Sequence, residues 1–315
     1  MNAPADLPGI CFYTPPIHAI LSARDGKVQI PYGDMQIPLL EEDFATLNGI
    51  EPSYDAVGRG IYQLLRLNPD LPLADRYANL LREGYPHLLA ELATHLVMLD
   101  KKDVDLPYLD RKINYLKIFA LLEPDNHRFP LEIGATYFEK GLTLAAMGNT
   151  TVLLYRAEKY LRQAFAMKHE DVQTRHRLGE VSYILGRYEE AAGLWETALY
   201  QLPSDLAEKL SRRIDQIRSG DLPLVPPIDY LQAVGMAIDA YEINDWEEAA
   251  AIILDVIDAL ARYEEFPLAE INYLLGLCYV KLDIPLYAEQ YLREALELRP
   301  GYAEAEHELQ QLGVV

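Results

Sequence analysis

Basic residues are scarce in this chain: 28 Lys plus Arg stand against 49 Asp plus Glu in 315 residues, a formal charge of −21. Such a balance repels phosphate backbones, which excludes nucleic acid as a broad class of partner. Cysteine is scarcer still. Cys11 and Cys278 make neither a disulfide framework nor a metal knuckle, and Cys278, within an apolar helical run, reads as a small buried hydrophobe. No apolar run approaches the roughly 20 residues that span a bilayer. The start MNAPADLPGICFYTPP lacks the basic-then-apolar order of a secretory signal. A soluble cytoplasmic protein without direct membrane insertion is expected.

Catalytic signatures are missing too. Gly58-Arg59-Gly60 lacks the Lys-Ser/Thr of a phosphate loop, and no G-x-S-x-G turn is present. The seven histidines carry no metal-ligand spacing, His169 and His176 included. The pairs Glu189-Glu190 and Glu247-Glu248 occupy matching places beside helix turns and read as solvated helix starts rather than paired acids. No catalytic, cofactor-binding or metal-binding residue is assigned, and an enzyme is not expected.

What is present is a core. Half the residues are apolar, enough to exclude wholesale disorder. The charge is uneven: from Asp221 onward there are 19 acidic and 4 basic residues, against 30 and 24 before it. A partner drawn by electrostatics belongs on the C-terminal part.

Residues 1–50 read as an irregular arm. Prolines 4, 8, 15, 16, 31 and 38 punctuate it, and Arg24-Asp25-Gly26-Lys27 suits a turn between extended pieces. Ile10, Phe12, Ile17, Ile20, Leu21, Val28, Ile30 and Ile37 make it more apolar than a solvated tail needs, so it is expected to pack on the helical body. Helical periodicity begins near Ser53, where Val57, Ile61, Leu64 and Leu65 share a stripe that Asn68-Pro69 closes. Further helices are read over 73–81, 85–99, 107–122, 130–147 and 151–167.

The segment from Val172 to Asp205 reads VQTRHRLGEVSYILGRYEEAAGLWETALYQLPSD. Leu178, Gly179, Gly186, Tyr188, Ala191, Trp195, Ala198 and Pro203 fall where the tetratricopeptide repeat has its large and small residues, and the segment resembles that family. The frame returns over 269–302 with Leu275, Gly276, Tyr279, Ala288, Leu292, Ala295 and Pro300; there Asn272, Asp283 and Pro285 depart from it. A weaker copy covers 230–263, with Met236-Ala237 at the Leu-Gly positions. A degenerate one covers about 134–171, with roughly four extra residues near 149–152 by the spacing of such repeats. Gly179 and Ala191 are expected to let the paired helices approach, Gly186 to end the first helix in left-handed geometry, and Pro203 to stop the second.

The resemblance implies an all-α fold, a right-handed superhelical solenoid of antiparallel hairpins. Its expected organisation is the arm, hairpins over 51–218, a Pro-rich linker or bend at 219–228, and C-terminal units over 229–315 closed by a capping helix at 303–313. It also implies a job: holding a peptide or helix of a protein partner on the first helices of the hairpins. By position those are Gln173, His176, Glu180 and Tyr183, then Leu231, Val234, Ile238 and Tyr241, then Glu270, Tyr273 and Leu277, with Val280 and Lys281 beside them. The Lys and Asn set with which some relatives clamp a terminal carboxylate is not there. An apolar partner segment with basic flanks suits the acidic C-terminal part better. Three uses stay open: a scaffold or adaptor, an assembly chaperone or targeting factor, and a self-assembling structural protein. So do three states of the groove: open, filled by the arm, or ordinary inter-helix core.

Overall fold

The proline-dense start folds into short strands, since a two-stranded ladder has only edges and edges tolerate proline. The computed structural model describes residues 7–23, 28–47, 49, 51–99, 106–260 and 268–313. Within them β1 (Ile10–Tyr13) pairs antiparallel with β4 (Ile37–Leu40), and β2 (Ile20–Ala23) with β3 (Val28–Pro31). The arm is therefore not irregular: short extended pieces of it pair into two ladders. The Arg24–Lys27 turn lies outside the described residues.

Helices follow: α1 (Glu41–Ala45), α2 (Tyr54–Leu67), α3 (Ala74–Gly84), α4 (Pro86–Leu99), α5 (Leu106–Leu122) and α6 (Arg128–Gly141). Ser53 starts α2 by accepting the Ala56 amide. The arm packs on α2 and α3, where Ile37 and Leu39 are wholly buried with Val57, Ile61, Leu64 and Leu65. Each such aliphatic contributes about 1.5–3 kcal/mol. Strand and helix touch backbone to backbone: a Cβ on Gly60 would stand 2.0 Å from the Pro38 carbonyl oxygen. Ile17 and Ile20, counted among the arm's packing residues, are instead 78% and 53% exposed.

Two compact units make up the chain, Met1–Ile133 and Gly134–Val315. The second continues with α7 (Thr150–Met167), α8 (Val172–Ile184), α9 (Tyr188–Glu196), α10 (Ser204–Ser219), α11 (Pro227–Glu242), α12 (Trp246–Leu260), α13 (Leu268–Lys281), α14 (Pro285–Leu298) and α15 (Ala303–Gln311). α8 with α9, α11 with α12 and α13 with α14 form hairpins; α12 packs on α13, and α15 closes the end on α14. The described residues of the second unit fold into antiparallel helix hairpins, and the first unit carries a stranded arm packed on α2 and α3.

Repeat geometry confirms the frame at two places. The turn residues Gly186, Asn244 and Asp283 hold the same position of the three hairpins, and all are left-handed, with φ of 77°, 66° and 57°. The small-residue position meets a large side chain of the second helix, sixteen residues on. A Cβ on Gly179 would lie 2.3 Å from Trp195 Nε1, and one on Gly276 would lie 2.7 Å from Leu292 Cγ. Gly179 thus yields space to Trp195.

The same pairing resets the degenerate unit. Gly134 meets Leu161 at 2.6 Å, twenty-seven residues on, so eleven residues rather than four are inserted, and they include the 3-10 segment Leu144–Asn149. Pro203 does not end a second helix either. α9 stops at Glu196, a 3-10 turn covers Leu199–Gln201, and Pro203 precedes α10.

α11 departs from the frame. On α8 the stacking positions Thr174, Leu178 and Val181 are buried, as are Ile271, Leu275 and Cys278 on α13. Their counterparts on α11, Gln232, Met236 and Asp239, are exposed, Met236 at 64%. Met236 therefore does not act as the buried Leu of the motif. Outside its hairpin α11 packs chiefly on the 3-10 segment and α7.

Candidate functional site

The groove positions of α8 are largely used by the chain itself. Gln173 is exposed, while His176 and Glu180 are half-buried. Burial lowers the His176 pKa against the pull of Glu180, whose Oε1 is 3.7 Å from Nε2. Tyr183 is buried rather than presented. Its ring meets Tyr188 edge-on at 5.2 Å and Trp195 at 5.8 Å, and the Arg213 guanidinium of α10 lies over it at 5.1 Å. Tyr183 and Tyr188 both pack between helices.

On α11 the outcome is divided. Leu231 and Val234 are fully buried. A Cβ on Gly235 would stand 3.2 Å from the Met147 carbonyl oxygen, and Gln232 Nε2 donates to Thr151 Oγ1 at 2.7 Å. Within this unit the chain's own segment 144–151 packs on this half of α11. Toward the other end of the helix, Ile238 and Tyr241 remain half-buried.

α13 and α15 complete a face with Tyr241. Glu270, Tyr273 and Leu277 are half-buried, as is Val280, and Lys281 is exposed. Tyr273 packs on the cluster of Ala305, Leu309 and Tyr302, its ring 5.1 Å from that of Tyr302. Burial first, then the charges of Glu308 and Glu304 and the neighbouring Tyr241, hold the Tyr273 phenol above its ordinary pKa. Burial, then Cys278 and Glu308, do the same to Tyr241. One carboxylate, Glu308, acts on both phenols, so the three helices α11, α13 and α15 bring Tyr241, Tyr273 and Glu308 together. Glu270 is neutralised within the chain by an ion pair to Arg299, whose guanidinium lies 4.7 Å over the Tyr302 ring.

Glu304 and Glu308 escaped the sequence reading, which treated α15 as a polar cap. The available signal was their spacing of four on a helix that follows a complete hairpin and so takes the place of a further first helix.

Among the described residues no group of three or more His, Cys, Asp or Glu is placed to hold a metal ion, and no helix is long and apolar enough to cross a membrane.

No protein-family model and no curated protein sequence matches the chain. Solved structures similar to it include the P58(IPK) TPR domain, at 20% identity and TM-score 0.31 over 70% of this chain and 55% of that one. A tetratricopeptide repeat protein from Parabacteroides merdae matches at 13% identity and TM-score 0.29 over 87% and 96%. Yeast Tom70 matches at 13% and 0.28 over 82% and 58%. Likenesses this low carry no argument about this chain.

Proposed function

We propose that this chain is a non-catalytic cytoplasmic scaffold or adaptor that holds a segment of a partner protein on the face shared by α11, α13 and α15. One observation carries the reading: Tyr241 and Tyr273 stand half-exposed on neighbouring first helices, next to carboxylates with no described ion pair. Tyrosine suits such a face, giving a large apolar ring and one polar handle at low entropic cost. Ile238 and Leu277 supply apolar surface at equivalent positions. Gln173, His176 and Glu180 lie on α8, Glu270 is paired to Arg299, and Leu231, Val234 and Tyr183 are buried, so none of these is part of the proposed contact.

The ligand suited to this surface is an apolar segment with basic flanks. Residues 221–260 contain nine acidic residues and no basic one, which favours cations and disfavours an acidic tail.

The test is affinity purification from the native cell with the unmodified chain and with the double replacement Tyr241→Ala, Tyr273→Ala. A stable partner lost on replacement supports the scaffold. A partner present only while a complex matures would favour an assembly chaperone, and a concentration-dependent rise in mass by light scattering would favour self-assembly. Retention of every partner by the double variant contradicts the placement.

A further inference from the structure

This chain repeatedly seats arginine on tyrosine. Arg66 lies 5.1 Å over Tyr62 and 5.7 Å over Tyr115, between two rings. Arg299 lies over Tyr302 while Glu270 meets its charge. Arg213 covers Tyr183 and also lies 5.5 Å over Trp195. The last case has a counterpart: Tyr183 and Tyr241 occupy the same position in their hairpins, eleven residues after Val172 and Tyr230.

At Tyr241 an aromatic ring stands at the equivalent position, and among the described residues no arginine lies over it. The charged groups that act on Tyr241 and Tyr273 are acidic, Glu308 on both and Glu304 on Tyr273. Arg299 is already committed to Glu270 and Tyr302. Arg293 is committed to Glu289. For Tyr273 the placement stands on packing: it lies against the cluster that includes Ala305 and Leu309, sequence neighbours of Glu304 and Glu308 on α15.

We infer that the Tyr241–Tyr273 face takes an arginine side chain of the partner, its guanidinium on the phenol faces and its charge met by Glu304 and Glu308. The inference rests on the protein-binding reading above and names what that face selects. Arginine fits better than lysine because a planar, weakly hydrated guanidinium stacks on rings and meets a carboxylate with two parallel donors. The closing helix α15 thus both caps the stack and supplies the counter-charge.

The experiment uses the full chain and a fluorescein-labelled 14-residue amphipathic peptide of leucine, alanine and arginine, with a copy carrying neutral citrulline at every arginine. By fluorescence anisotropy at low salt the arginine peptide is expected to bind about tenfold more tightly than the citrulline copy. Glu304→Gln with Glu308→Gln should erase that preference and leave the citrulline affinity unchanged. Tyr241→Phe with Tyr273→Phe, which keeps the rings, should retain it. Equal binding of the two peptides by the unmodified chain, no binding of the arginine peptide, or a preference surviving both glutamine replacements overturns the arginine seat.

The double alanine variant of the tyrosines separates this from the parent reading. If it loses both peptides while the glutamine variant keeps the preference, only the arginine seat fails. If it binds both peptides as the unmodified chain does, the face itself is wrong. Glu304 is exposed and Glu308 half-buried, so the glutamine variant is expected to melt with the unmodified chain, which circular dichroism checks.

Discussion

Gly179 and Trp195 are fitted to each other across the α8–α9 hairpin. The indole is fully buried, its Nε1 donates to the His176 carbonyl at 3.2 Å, and a Cβ on Gly179 would stand 2.3 Å from that nitrogen. The hairpin closes because the glycine has no side chain where the ring must lie.

Gly179→Ala should therefore destabilise the chain by about 2 kcal/mol, the overpacking loss exceeding the roughly 1 kcal/mol gained in helix propensity. Gly193→Ala is the matched control. It lies in α9 with nothing within 4 Å of its Cβ position, so propensity alone acts and stability should rise by about 0.5–1 kcal/mol. Urea unfolding of both variants measures the two signs.

The shared left-handed turn predicts a second pair of effects. Asp283 at φ 57° carries a steric penalty that glycine avoids, so Asp283→Gly should stabilise by up to about 1 kcal/mol. Asp283→Val should destabilise by about 1–2 kcal/mol, since a β-branched residue tolerates that region worst. Thermal melts of the two variants should move in opposite directions.

Alkaline unfolding should report the arm. The Tyr77 hydroxyl donates to the Gln36 carbonyl at 2.7 Å, and burial pushes its pKa up to about 12, with the nearby Arg76 pulling the other way. In the unfolded chain the phenol ionises near its ordinary value of about 10. The folded state binds the proton more tightly, so this stabilisation is complete below about pH 10 and is lost as pH climbs through about 12. The urea midpoint should fall over that window, and less steeply in Tyr77→Phe.

How far the sequence foretold all this depends on which forces act locally. Turns and close approaches were legible because they demand particular residues: Gly186 at the turn, Gly276 against Leu292, Pro285 at the start of α14. Most helix bounds follow from apolar spacing in the same way. The arm's ladders were not legible, since pairing Ile10 with Leu40 is a long-range choice that proline density hid. The site was half legible. Tyr241 and Tyr273 follow from the frame as first-helix positions, whereas the packing of segment 144–151 on α11, where Leu231 and Val234 are buried, is announced by no periodicity. The exposed Gln232, Met236 and Asp239 record that change: two polar groups stand at positions that are buried on α8 and α13.

The central claim is that a partner protein touches the face carrying Tyr273. Its most direct test places the photo-crosslinking amino acid p-benzoylphenylalanine at position 273 in the native cell, with position 200 as the control, because Tyr200 is 97% exposed and lies in the 3-10 turn after α9. A discrete adduct from position 273, identified by mass spectrometry and missing from position 200, is the predicted result. No adduct from position 273, or the same adducts from both positions, would contradict it.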